Sequence, residues 1–225
     1  MHNSSSIRAV IFDMDGLLVD SEPYWRVAET NVFGRLSVAP NEEEFEAMMG
    51  NRIQEVITKW HNKYPWDNFD LTATQNEIIN EVATLVTQNS NLLPGVQRTL
   101  EFFNEKNVPM VVASSSPLML IKKLLSHYSV IDNFKGLYSA EFEMRGKPAP
   151  DVFLTASKEL GVEPQLCLVF EDSYNGVVAA KAANMKCVAV PSPEYLHQDR
   201  FEIADLKLPS LKEWGTEHWE YLSSL

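Results

Sequence analysis

Long apolar runs, cysteine and positive charge are all scarce in this chain, and each shortage closes off a class of function. No stretch approaches the roughly 18 consecutive apolar residues of a membrane span, and the polar start, Met1 to Ser6, lacks the basic and apolar regions of a secretory leader. The sequon at Asn3-Ser4-Ser5 is therefore expected to carry no glycan, since glycosylation needs secretion. Cysteine occurs only at 167 and 187, each inside an apolar run, which suits small core residues and a reducing cytosol rather than a disulfide or metal pair. Lysine and arginine number 19 against 31 aspartates and glutamates, a net charge of −12. Such a surface repels nucleic acid and anionic lipid, so any anionic substrate needs local positive charge. A G-x-S-x-G elbow, a P-loop and an H-E-x-x-H pair are missing as well. The five histidines are scattered, and His61 and His127 sit in helical stretches that suit surface or core roles.

What is present is enough for a substantial core: 225 residues, 45% of them hydrophobic. From residue 94 onward, strand-like and helix-like segments alternate: strands at 108–113, 136–139, 166–170 and 187–190, helices at 117–128, 150–160 and 174–184. That alternation predicts parallel strands joined by helices, an α/β fold. Residues 20–93 have a different texture. Ile53, Val56, Ile57 and Trp60 follow the helical i, i+3, i+4, i+7 spacing, as do Ile78, Val82 and Leu85, and Ile79, Val82 and Val86. The expected organisation is an α/β core from 1–19 and 94–225, with a small helical cap at 20–93 inserted after the first strand.

Residues 10 to 16 read Val-Ile-Phe-Asp-Met-Asp-Gly and carry the chemistry. Three residues favouring a buried strand run into two carboxylates, Asp13 and Asp15, which therefore belong at the carboxyl edge of the sheet, where ligands of open α/β sheets bind. Two anions so close call for a compensating cation, and a hard divalent ion such as Mg²⁺ suits carboxylate oxygens. Three more polar groups fall at or between strand ends: Ser114, Lys147, and the acidic pair Glu171-Asp172. A strand ending in two carboxylates has no ready structural excuse.

Taken in order, Asp13-Met14-Asp15-Gly16, Ser114, Lys147 and Glu171-Asp172 resemble the four motifs of the haloacid dehalogenase superfamily of aspartate-nucleophile phosphohydrolases, across essentially the whole chain. The helical insert resembles the small α-helical cap of the β-phosphoglucomutase-like branch. Asp20-Ser21-Glu22-Pro23-Tyr24-Trp25, Gly50-Asn51-Arg52-Ile53 and Ser114-Ser115-Ser116-Pro117 are similar to bacterial sugar and sugar-alcohol phosphatases of the 2-deoxyglucose-6-phosphatase type. The resemblance implies a Rossmann-like parallel-sheet core and an Mg²⁺ cofactor held by Asp13, the Asp15 backbone carbonyl and Asp172, with Glu171 binding directly or through water. It implies that Asp13 attacks phosphorus to give an aspartyl-phosphate. Asp15 would protonate the leaving oxygen and later deprotonate water, while Lys147 and Ser114 hold the phosphoryl oxygens.

Substrate choice is expected in the cap, with Arg52 the first candidate and Glu22, Trp25 and Ser115 beside it. The family also holds dehalogenases, which lack the acid present here as Asp15, and mutases, which carry histidine where this chain has Trp25. Phosphonatases need a cap lysine, for which Lys59 and Lys63 are available. The expected partner is a small phosphorylated metabolite, with no nucleic acid and no membrane, acted on by a cytoplasmic monomer. A phosphosugar mutase and a non-catalytic phospho-ligand-binding protein are the alternatives. The C-terminal Trp214, Trp219 and Tyr221 either pack on the core or form a contact patch.

Overall fold

A computed structural model describes residues 7–48 and 51–225. The polar start Met1 to Ser6, its sequon, and Gly50 of the Gly-Asn-Arg-Ile segment lie outside the described residues.

The sheet explains why the first motif sits where it does. Six parallel strands, β1 (Ala9–Phe12), β2 (Met110–Ser114), β3 (Leu137–Ser139), β4 (Cys167–Glu171), β5 (Lys186–Ala189) and β6 (Leu206–Lys207), stand in the order β3-β2-β1-β4-β5-β6. The order reverses between β1 and β4, so the crevice at the carboxyl end of β1 is the ligand position of an open α/β sheet. In register, Phe12 pairs with Val112 on one side and Phe170 on the other. The side chains just beyond, Asp13, Ser114 and Glu171, therefore emerge together. The expected fold class, a Rossmann-like parallel sheet with helices, is the one observed. Strand β2 starts and ends later than the 108–113 expected, and β6, only two residues long, gives too short a pattern to read.

Alternation along β1 divides the core, because successive side chains point to opposite faces. Val10 and Phe12 join one apolar cluster, and Ala9 and Ile11 the other. Helices follow the same division. On the Phe12 face lie α5 (Val96–Glu105), α6 (Leu118–His127) and α9 (Thr216–Ser224); on the Ile11 face lie α7 (Asp151–Leu160) and α8 (Tyr174–Ala182). Phe12 stacks on Phe170 at 5.0 Å, and Trp214 meets Phe170 edge-on at 4.9 Å. Trp214 is thus core, Trp219 packs beside it, and Tyr221 is exposed. Cys167 and Cys187 are buried free thiols.

Between β1 and α5 the described residues form α1 (Glu22–Arg35), α2 (Glu42–Glu46), α3 (Ile53–Lys63) and α4 (Leu71–Asn89). The apolar stripes read from sequence are buried in α3 and α4, with Leu85 half-buried. Helix α2 starts on a capping box between Asn41 and Glu44, and α4 on the Asp70 carboxylate, which accepts from Ala73 N–H. The two chains linking this block to the sheet hold each other: Leu93 N–H donates to Leu18 O at 2.9 Å and Asp20 N–H to Asn91 O at 3.2 Å. Among the described residues no helix is long and apolar enough to cross a membrane.

Candidate active site

At the carboxyl edge a buried ammonium is shared by two carboxylates. Lys147 Nζ lies 2.5 Å from Asp13 Oδ1 and 2.6 Å from Glu171 Oε1, and its stem is 2% exposed. Burial opposes the charge on Lys147, but Asp13 and Glu171 more than reverse that and hold its pKa above the usual lysine value. The second oxygen of Glu171 accepts from Ser173 N–H at 2.9 Å and Ser173 Oγ at 3.0 Å, so both its oxygens are engaged. Gly176, in the first turn of α8, leaves room for this carboxylate: a Cβ there would fall 1.7 Å from Glu171 Oε1.

Asp13 follows β1 directly, its N–H bonded to Phe170 O at 3.0 Å. Burial pushes its pKa up to about 7; Lys147 pulls the other way, while Glu171 and Asp15 add to the rise. Asp172 is pushed well above the carboxylate range, first by burial and then by Glu171, Asp13 and Glu22. No hydrogen-bond donor among the described residues reaches its carboxylate. It abuts Gly16, where φ is +70° and a Cβ would lie 2.2 Å from Asp172 Oδ2.

Asp15 is held differently. Its Oδ1 accepts from Ser21 Oγ at 2.7 Å and Trp25 Nε1 at 2.9 Å, and its Oδ2 from Ser116 Oγ at 2.6 Å and Ser114 Oγ at 3.3 Å. Two of these donors come from the start of α1 and its approach, two from the end of β2 and its loop. Ser21 and Ser116 were not among the candidates read from sequence. Ser116 stands in the Ser114-Ser115-Ser116 run, which was the available signal, whereas nothing local distinguishes Ser21 from a helix cap.

A cavity of about 760 Å³ opens above these groups, lined by Asp13, Asp15, Ser114, Ser115, Lys147 and Asp172 at its base and by Glu22 and Trp25 on α1. Glu22 is pushed up to about 8 by burial and by Asp15, Glu29 and Asp13, with Arg26 opposing. Arg52, expected to face substrate, is instead turned to the protein: its guanidinium donates to Glu143 O at 2.8 Å, Ala140 O at 3.2 Å and the Glu55 carboxylate. The physical reason is position. Arg52 precedes α3 at its N-terminus, beside the loop after β3, where free carbonyls and an i+3 carboxylate compete for it. Lys59 lines a shallow depression on the outer face of α3, and Lys63 pairs with Glu44; neither reaches this cavity.

The donor set fits a hard divalent cation. One lysine serves two of three buried acids, and no donor among the described residues reaches Asp172. Mg²⁺ is such an ion: it binds through one or two carboxylates and completes its shell with water and substrate phosphate.

These groups define the class. The chain belongs to the haloacid dehalogenase-like hydrolases, whose family model matches residues 10–190. Within them it is a phosphoric monoester hydrolase, and it is similar to three known proteins. It is 39% identical to hexitol phosphatase B of Escherichia coli strain K12 over 214 residues, 95% of this chain and 96% of that protein. Its fold matches β-phosphoglucomutase from Clostridium difficile with a TM-score of 0.84 and 25% identity, covering 97% of each chain. It likewise matches CbbY from Rhodobacter sphaeroides, crystallised with phosphate, with a TM-score of 0.85 and 25% identity over 95% of this chain and 98% of that one.

Proposed function

We propose that this protein is an Mg²⁺-dependent phosphatase acting on monophosphates of small sugars or sugar alcohols through an aspartyl-phosphate on Asp13, with residues 20–93 as the cap over the site. The observation that carries this is the division of labour between Asp13 and Asp15: one carboxylate held by a buried lysine at the sheet edge, the other cradled by four donors a residue pair away. The similarity to hexitol phosphatase B supports the substrate class.

When bound, Mg²⁺ would supply charge neutralisation between Asp13 and an incoming phosphate, with Asp13, the Asp15 carbonyl and Asp172 as its protein ligands. Asp13, fixed by its N–H bond to β4, presents an oxygen for in-line attack on phosphorus. Lys147 stays bonded to Asp13 and Glu171, and from there its ammonium neutralises a phosphoryl oxygen, helped by the Ser114 hydroxyl. Glu171 acts by positioning Lys147. Asp15 gives a proton to the departing alkoxide, then takes one from the water that attacks the aspartyl-phosphate. Trp25 cannot accept or relay that proton, which favours hydrolysis over a mutase. The distance of Lys59 and Lys63 from the cavity disfavours a phosphonatase.

The test is phosphate release, with and without Mg²⁺, from hexose, deoxyhexose, hexitol and glycerol phosphates, alongside Asp13→Asn and a β-glucose-1-phosphate isomerisation assay. Mg²⁺-dependent release abolished by the substitution is expected. Isomerisation without release makes the protein a mutase, and silence in every assay makes it a phospho-ligand binder.

A further inference from the structure

The far end of the cavity contains a carboxylate that the catalytic scheme does not use. Glu29 lies two turns beyond Glu22 on α1, about 10 Å along the helix axis at 1.5 Å per residue, and lines the same cavity. Glu22 is the near mark, since its Cγ would lie 3.3 Å from a Cβ on Gly16 in the first motif. From the helical block the same cavity is lined by apolar Phe45, Met48, Ile53 and Val56 and by polar Arg26, Glu42, Glu46 and Asn51. The cation beside it, Arg26, is committed elsewhere, bonded to Glu42 Oε2 at 2.9 Å and stacked over the Phe45 ring at 4.0 Å. No donor among the described residues reaches the Glu29 carboxylate, and burial raises its pKa to about 7 despite Arg26. A half-buried carboxyl group without a donor is destabilising for the fold, and the cost is offset when a ligand brings hydroxyl donors.

We propose that Glu29 is a specificity-determining residue that accepts hydrogen bonds from the distal hydroxyls of a six-carbon polyol monophosphate whose phosphate sits at Asp13. This rests on the phosphatase reading and deepens it. A glycerol chain anchored at the same phosphate stops nearer Glu22 and does not reach Glu29. Discrimination then follows chain length, since only the longer substrate gives Glu29 its missing partners. A second phosphate at that end would meet Glu29 with Arg26 already paired, so a neutral polyol tail is the class selected.

The experiment compares wild type, Glu29→Ala and Glu29→Gln on a hexitol 6-phosphate and on glycerol phosphate in saturating Mg²⁺. In Glu29→Ala the ratio of kcat/KM for the hexitol ester over the glycerol ester should fall roughly ten- to hundredfold, the size expected for a hydrogen bond to a charged group. The loss should appear in KM, with Glu29→Gln intermediate because it keeps an acceptor. An unchanged ratio, including equal losses on both esters, overturns the role of Glu29 while leaving the phosphatase reading intact. Absence of Mg²⁺-dependent turnover by wild type on either ester and on p-nitrophenyl phosphate overturns both.

Discussion

The indole N–H of Trp25 donates to Asp15 Oδ1 at 2.9 Å, tying the first helix after the catalytic loop to the proposed acid and base. The sequence reading placed Trp25 on the substrate; in the structure Trp25 lines the cavity and its indole N–H is bonded to this carboxylate. Ser21, Ser114 and Ser116 complete the cradle. Losing one of these donors changes how Asp15 is held without removing it.

Trp25→Phe keeps an aromatic at the hinge and deletes the donor. A net hydrogen bond is worth about 1 kcal/mol, so kcat on an alkyl phosphate should change by about fivefold to tenfold. An aryl phosphate, whose leaving group needs little protonation, should respond less. Steady-state kinetics on both decide: equal effects would mean that Trp25 acts through packing and not through Asp15.

Lys147→Met should be damaging twice over. It leaves Asp13 and Glu171 buried without their shared cation, and breaking a buried ion pair from one side costs about 3–5 kcal/mol. Urea unfolding at pH 8 should show a loss in that range, and phosphate release should vanish. Gly176→Ala tests the same triad from behind, because its Cβ would displace Glu171. It should lower activity at least tenfold although residue 176 touches no substrate.

The acidic cavity also makes stability depend on pH. Asp13 rises from 3.8 to about 7, Glu22 from 4.5 to about 8 and Glu29 from 4.5 to about 7 on folding. Carboxyls with a higher pKa when folded bind protons more tightly in the native state. Their contribution is therefore full below the unfolded values and lost as pH rises through the folded ones. In EDTA, Tm should fall between pH 5.5 and pH 8 by several degrees, at about 2–4 °C per kcal/mol for a chain of this size. Mg²⁺ favours the ionised forms of Asp13 and Asp172, so it should raise Tm more at pH 8 than at pH 5.5. A flat profile in EDTA, or an Mg²⁺ effect independent of pH, contradicts this electrostatic picture.

Much of this site was legible because strand ends speak through local composition. Val10-Ile11-Phe12 and Leu168-Val169-Phe170 are apolar runs that stop at carboxylates, and parallel register then carries Asp13, Ser114 and Glu171 to one edge. What was not legible depends on contacts between distant segments. Ser21 reads as a helix cap until the fold brings Asp15 to it. Arg52 reads as a free cation until the loop after β3 offers its carbonyls. Glu29 gives no signal in the sequence because α1 lacks a clean apolar stripe: Ala28, Val32 and Phe33 are buried, while Glu22, Trp25 and Glu29 line the cavity.

Gly16 offers the sharpest test of the metal site. Its φ of +70° is a conformation that disfavours any Cβ, and the Cβ of Gly16→Ala would lie 2.2 Å from Asp172 Oδ2. The backbone strain should cost about 1 kcal/mol, a modest loss. The displaced Asp172 should cost far more function, because the carboxylate left without a protein donor is the one expected to hold Mg²⁺. The Mg²⁺ concentration for half-maximal activity should rise at least about tenfold, the lower end for disturbing a metal ligand's surroundings. Gly34→Ala is the control: it lies within α1 with nothing inside 4 Å of its new Cβ, so it should raise stability by about 1 kcal/mol and leave the Mg²⁺ response alone. If Gly16→Ala loses activity with an unchanged Mg²⁺ requirement, the damage lies in Asp13 and Asp15 positioning, and Asp172 is not a ligand.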